Sequence, residues 1–386
     1  MGTAETRQRR QKHGNKPPAR PGRKRCKLPG RFICLLVLAL LPACDPAEDP
    51  PAQSASSGPP AAPVDAELVD MAAFSESFEV VRSLTLAESD QAMTVRPLVT
   101  NDGRGQLLVS EPMEGQVNVY GFDGELRAVL GRRGEGPGEF AFPLIAHPTS
   151  DGGVVVGDVE LSRLTFFPPA GEGDPEVVAT PVEAIQGAQD LGDGRYLLAG
   201  TISGEDQPRF FHIWDRAANR LERSFLPMGV PEESRAYASS FQGASATLEH
   251  DTIWAVWALS DTLYKFDTQG ELLGRLPLPL VRPMGELPRA GGVVSDPADR
   301  QSMFDRMTEV FGVYILRGGD LVVQSLQTRD FDAVWDLLII DRLGRLVWSA
   351  PNMPRLFALE DDLFYFDDPA SVLPNRWLVA RLKSRE

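Results

Sequence analysis

Histidine and carboxylate are the groups in this chain that could move a proton or hold a cation. His147, His212 and His250 are the histidines beyond residue 43, and no two of them stand at a metal-ligand spacing. A lone histidine is more often a satisfied polar residue than a ligand, although His147 ends the apolar run PLIAH, where a strand would present it. Asp158, Asp190, Glu249 and Asp320 lie at or beside turns between apolar runs. Oxygen donors of this kind, brought together, would suit a hard cation such as Ca²⁺. Acids are so common here that some reach such positions by chance.

Nucleophilic and phosphate chemistry find less support. Gly243-Ala-Ser245-Ala-Thr247 misses the GxSxG nucleophile elbow at its last glycine. Gly131-Arg132-Arg133-Gly134-Glu135-Gly136-Pro137-Gly138-Glu139-Phe140 is glycine-rich but lacks the Lys-Ser/Thr of a phosphate loop, and its two glutamates would repel an anion. Glycines at this density serve a sharp return of the backbone. The cysteines are Cys26, Cys34 and Cys44, so no thiolate site or disulfide framework can form after residue 44. These motifs call for no cofactor.

The chain divides at Cys44. Residues 1–43 hold eleven basic residues and one acid, which leaves 28 basic and 53 acidic residues for the rest. A body so acidic repels nucleic acid and anionic membrane surfaces and favours cationic partners. Phe32 to Leu41 is an uninterrupted apolar run behind the basic stretch, half of the roughly 20 residues that a membrane-spanning helix needs. It fits the core of a secretory signal peptide. Leu41-Pro42-Ala43-Cys44 then resembles a bacterial lipobox, which implies a lipid on Cys44 and removal of residues 1–43. Residues 44–77 follow as a Pro/Ala/Ser-rich tether with little to bury. The expected product is exported and held on the cell envelope, at the inner or outer membrane, with the lipid as its membrane partner.

The positioning elements repeat. Phe122-Asp123-Gly124, Trp214-Asp215 through Asn219, Phe266-Asp267 through Gly270 and Ile340-Asp341 through Gly344 each separate two short apolar runs, which is a β-hairpin signal. A second turn, with a strand on each side, stands upstream of each hairpin. Six such turns between Asp102 and Asp361 recur at about 52 residues, and four short strands per period mark a β-propeller blade. The last unit has three strands, and Phe78–Leu86 is left over at the start. The expected fold is an all-β, six-bladed β-propeller over 78–386, its ring closed by an N-terminal strand that completes the last blade. A helix is expected after Ser295-Asp296-Pro297, inside the long connection 277–310. Trp254 and Trp257, three apart on one strand, should point to opposite faces.

With the following Pro143, residues 131–140 are similar to the GxxGxGPGEF signature of a bacterial six-bladed propeller family related to NHL-repeat proteins, often found as lipoproteins. FDTQGELLGRLPLP (266–279) and IDRLGRLVWSAP (340–351) resemble later blades of the same family. The resemblance implies the fold far more than an activity. Two functions follow as expectations. One is a binding or scaffolding module for a protein or small-molecule ligand. The other is a metal-dependent lactonase or esterase of the gluconolactonase type, also six-bladed, in which inner-strand acids hold a divalent cation. In that case His147, Asp158, Asp190, Glu249 and Asp320 would stand at the channel mouth.

Overall fold

The computed structural model describes residues 68–383 except 90–91, 96, 170–172, 203, 206, 239–242, 288–304, 306 and 330–331. The expected signal peptide, lipobox and lipid-bearing Cys44, and the helix expected after Ser295, therefore lie outside the described residues. A helix α1 (Met71–Ser77) leads into strand β1 (Phe78–Thr85). Blade one is β2 (Leu98–Asn101), β3 (Gln106–Glu111), β4 (Gln116–Gly121) and β5 (Leu126–Leu130). Blade two is β6 (Pro143–Pro148), β7 (Val154–Asp158), β8 (Arg163–Phe167) and β9 (Glu176–Ala179). Blade three is β10 (Glu183–Gly192), β11 (Arg195–Thr201), β12 (Arg209–Asp215) and β13 (Arg220–Pro227). Blade four is β14 (Ala244–Glu249), β15 (Thr252–Trp257), β16 (Thr262–Asp267) and β17 (Leu272–Pro277). Blade five is β18 (Thr308–Ile315), β19 (Leu321–Arg329), β20 (Asp332–Ile340) and β21 (Leu346–Met353), and blade six begins with β22 (Leu356–Glu360), β23 (Leu363–Asp367) and β24 (Arg376–Leu382).

Five sheets run in chain order, and the sixth is ordered β1-β24-β23-β22. The first strand of the body thus supplies the outer strand of the last blade, paired antiparallel from Phe78 opposite Leu382 to Thr85 opposite Arg376. This is the closure expected from the sequence. The folded body begins earlier than expected, because residues 71–77 belong to it and not to the tether. Asp70 caps α1 by accepting from the backbone N–H groups of Ala72 and Ala73 (3.1 and 2.9 Å). Phe74, one turn before Phe78, is fully buried and stacks on it at 5.2 Å. Phe78 in turn meets Trp348 of blade five and Phe364 and Phe366 of blade six. The two phenylalanines give the closing strand an apolar anchor worth roughly 2–3 kcal/mol per ring.

Each interface between neighbouring blades holds an apolar cluster. Trp254 packs toward blade five and Trp257 toward blade three, so the pair does point to opposite faces. The recurring aspartates have a local cause. In the hairpin turns, Asp267 Oδ1 accepts from the N–H of Gln269 and Glu271, and Asp341 Oδ1 from Leu343 and Arg345. The Gly or Asn that follows takes positive φ: 87° at Gly124, 45° at Asn219, 75° at Gly270 and 80° at Gly344. Residues 131–140 make a comparable knot between blades one and two. A Cβ on Gly131 would lie 2.4 Å from the buried Phe140 ring, and Arg163 donates to the carbonyls of Glu135, Gly136 and Glu139 at 2.8 Å.

Glu309 sits near the start of β18, is 5% exposed, and its Oε2 meets no partner among the described residues. Burial pushes its carboxyl up to about 8 from an ordinary 4.5. Between those values the unfolded chain releases a proton that the folded chain keeps, so this group lowers stability as pH rises through the window. Glu309→Gln should leave the denaturation midpoint nearly unchanged at pH 4.5 and raise stability at pH 8 by roughly 2–5 kcal/mol. Equal stability of the two chains at pH 8 would contradict a buried, unpaired carboxyl here.

Candidate functional site

A cavity of about 520 Å³ runs along the channel and is lined from the innermost strand of every blade, β2, β6, β10, β14, β18 and β22. An innermost strand pairs on one side and leaves its other edge facing the channel, so its backbone groups need partners from elsewhere. Side chains of adjoining blades supply them. Thr100 Oγ1 donates to the Ala146 carbonyl and Asn101 Nδ2 to the Leu359 carbonyl (2.5 and 2.7 Å). Gln189 Nε2 donates to the Ala246 carbonyl at 2.7 Å, and Gln186 Oε1 accepts from the Ala244 N–H at 3.0 Å. Ser245 Oγ accepts from the Val313 N–H at 3.2 Å. The Gln324 amide, turned so that both its atoms are satisfied, donates to the Leu356 carbonyl and accepts from its N–H. Ser150 and Asp190 join blades two and three, so every blade interface carries such a link.

The sequence-derived site residues occupy separate places. Asp158 is fully buried and accepts from the backbone N–H of Ala141 (2.8 Å), Phe142 (3.3 Å) and Leu161 (3.0 Å). It ties the glycine-rich return to blade two. Asp190 lines the cavity, but accepts from Ser150 N–H and Oγ–H at 2.8 Å and from Gly192 N–H at 2.7 Å. Glu249 forms a two-pronged ion pair with Arg342 of blade five, which holds its carboxyl below the usual range. Asp320 belongs to the turn before β19, where its carbonyl accepts from Leu316 N–H. Only Asp190 and His147 of the five face the cavity, and among the described residues no three His, Cys, Asp or Glu side chains come together as a metal cluster.

The histidines differ in setting as well. His147 lies against Gly187 of the next blade, where a Cβ would be 2.9 Å from its Nε2, and the surrounding protein pushes its pKa down to about 4. It is therefore neutral at physiological pH although it borders the cavity. His212 is buried between the Ser224 hydroxyl (2.7 Å) and the Gly200 carbonyl (3.2 Å), and burial lowers it to about 4 as well. His250 occupies the exposed turn between β14 and β15, with φ 51°.

The most distinctive polar group of the cavity wall was not among the sequence candidates. Arg355, just ahead of β22, sits in an aromatic cage. Its guanidinium carbon is 4.9 Å from the Phe357 ring centre, 5.3 Å from Trp335 and 5.4 Å from Phe311. Such contacts hold a desolvated cation at about 0.5–2 kcal/mol each. Nη2 donates to the Pro97 carbonyl at 3.1 Å, while Nε is buried without a partner among the described residues. Burial pushes the guanidinium pKa down, and Asp367 is the largest opposing influence. Burial raises Asp367 itself to about 6 despite Arg355, and the two form no ion pair. Two of the three rings come from β18 and β20 of the preceding blade, so a linear reading of MPRLFAL shows only Phe357.

Arg355 is level with Pro97, at the start of the innermost strands, whereas Asp102, His147 and Asp190 stand at their far ends. Pro97 and Asp102 flank the four residues of β2 and are five steps apart along the strand, roughly 16 Å. Between the two ends Ile145, Leu197 and Val313 border the channel together with Thr100, Gln186 and Ser245, whose polar atoms are engaged across blades, so the wall there is mainly apolar.

No family model matches the chain, and no curated protein matches it significantly. Solved structures do. A Bacteroides fragilis protein described as exported shares 12% identity at a TM-score of 0.58, covering 80% of this chain and 96% of its own. A member of the DUF4221 family from Bacteroides vulgatus shares 9% at a TM-score of 0.54, covering 79% and 97%. A gluconolactonase of Xanthomonas campestris shares 14% at a TM-score of 0.48, covering 81% and 93%, a likeness too distant to bear on activity. Among the described residues no helix is long and apolar enough to cross a membrane. At these identities the likeness is one of fold, and the chain is a six-bladed β-propeller.

Proposed function

We propose that this chain is an exported, lipid-anchored binding module of the cell envelope, and that its ligand is held in the channel. The observation that carries the reading is the cavity: about 520 Å³, walled by all six blades, mainly apolar, with polar groups fixed by hydrogen bonds across the blades. That is the make-up of a small-molecule site, in which apolar walls supply affinity and sparse polar groups supply orientation. The cross-blade hydrogen bonds favour it too, because they hold the wall rigid before any ligand arrives, which lowers the ordering cost of binding. The leader supports export, and Cys44 after Leu41-Pro42-Ala43 supports the anchor. The GPGEF segment supports kinship with NHL-like propeller lipoproteins.

A metal-dependent hydrolase is the competing reading, and His147 and Asp190 on adjoining strands of the wall are what favour it. Melting the full chain with EDTA, with Ca²⁺ and with Zn²⁺ separates the two. The binding module should melt at the same temperature in all three, within about 1 °C, whereas a resident cation at a hundred times its Kd would add about 2.7 kcal/mol of stability. A metal-dependent shift of several degrees would overturn the binding-only reading. For the anchor, Cys44→Ser should move the protein from the membrane fraction to the soluble fraction without altering its melting temperature. Retention of the serine variant on membranes would refute lipid attachment at Cys44.

A further inference from the structure

The acidic body predicts cationic partners, yet the cavity wall holds the opposite charge. Arg355 borders the cavity, and among the described residues its guanidinium makes one hydrogen bond, through Nη2 to the Pro97 carbonyl, and no ion pair. Its three aromatic neighbours offer ring faces, which hold the cation in place without neutralising it. Arg355 is half-buried, and a charge held largely out of water without a counter-ion in contact is costly until a partner completes it. The ordinary structural explanation, an arginine that caps several carbonyls, accounts poorly for this one. Arg163 does that work elsewhere in the same molecule by bonding three carbonyls, whereas Arg355 bonds one and leaves Nε without a partner.

The carboxylates nearest to Arg355 are placed away from direct contact with its guanidinium. The Asp367 backbone N–H donates to the Arg355 carbonyl at 2.8 Å, and the carboxylates of Asp367 and Glu111 act on the guanidinium by charge without forming an ion pair with it. Asp102 and Asp190 stand at the other end of the channel, the first engaged with its own turn and the second with Ser150 and Gly192. His147, also at that end, is half-buried against Gly187. A negative group entering beside Arg355 would therefore meet an unpaired cation, with an apolar wall behind it formed by Leu98, Val310 and Leu356.

Resting on the reading of the channel as a ligand site, we infer that the ligand is a small organic anion: its carboxylate pairs with the Arg355 guanidinium, and its apolar or aromatic body lies along the middle of the channel. The planar fork of arginine matches a carboxylate, and the apolar wall excludes the water that would otherwise screen the pair. Because the surrounding body is negative, association is slowed by charge and specificity resides in the site.

Titration of the full chain in detergent with 2-naphthoate and its neutral isostere 2-naphthamide, followed by calorimetry, tests the assignment. The expected result is that naphthoate binds about tenfold or more tightly than the amide, the advantage of one charge-assisted hydrogen bond. Arg355→Gln should abolish that preference, bringing naphthoate to the affinity of the amide. The preference of the unmodified chain is read without any variant, so the test stands even if Arg355→Gln does not fold. Equal binding of naphthoate and amide would overturn the anion assignment and leave the channel as a ligand site. Failure of naphthoate, naphthamide and the cation 2-naphthylmethylammonium alike would overturn the channel reading itself.

Discussion

The fold depends on one seam, the antiparallel pairing of β1 with β24. Six sheets around an axis have no stable open form, because an opened ring exposes two blade faces that are otherwise buried. Pairing the two ends of the body inside one sheet converts chain connectivity into closure. The seam is reinforced at its first residue, where Phe78 enters a cluster shared by blades five and six, and by α1, which covers that cluster with Phe74. Lys383 completes it by donating from its backbone to the Ser77 carbonyl at 2.9 Å.

Closure explains the cavity. Once the ring is fixed, the six innermost strands face one another with one edge unpaired, and their distance apart is set by the blades rather than by mutual hydrogen bonding. Thr100, Asn101, Gln186, Gln189, Ser245 and Gln324 then reach between blades to satisfy those edges. The void left inside is neither filled by side chains nor closed by strand pairing. Its wall is preorganised by the same bonds that hold the blades in register, and Arg355 is locked in that wall by rings from two blades. Structure and candidate site are thus one hydrogen-bonded ring seen from two sides.

Much of the ring was legible in the sequence because its turns are local. Asp267 and Asp341 bond the N–H groups two and four residues ahead, Asp123 the one two ahead and Asp215 the one three ahead, and the Gly or Asn that follows adopts positive φ, so these four hairpins carry their own punctuation. The unpaired Phe78–Leu86 strand announced the closure. Helix α1 was missed because its support is tertiary: the run MAAFSES is only seven residues long, and Phe74 is buried only where Phe78, Phe364 and Phe366 surround it. The acids were over-read for the converse reason. Turn carboxylates look free in a sequence, whereas Asp158 and Asp190 are used by nearby N–H and hydroxyl donors and Glu249 by Arg342. Arg355 was invisible because a cage built from three strands has no linear signature.

Native-state hydrogen exchange of the full chain tests the dependence of the fold on its seam most directly. If β1 closes the ring, the amides of Phe78–Thr85 should open with the same free energy as those of β22, β23, β24 and the inner strands of the other blades, as one cooperative unit. Exchange of the β1 amides at a distinctly lower free energy, with the remaining blades still protected, would show a ring that stays shut without its seam and would contradict the account.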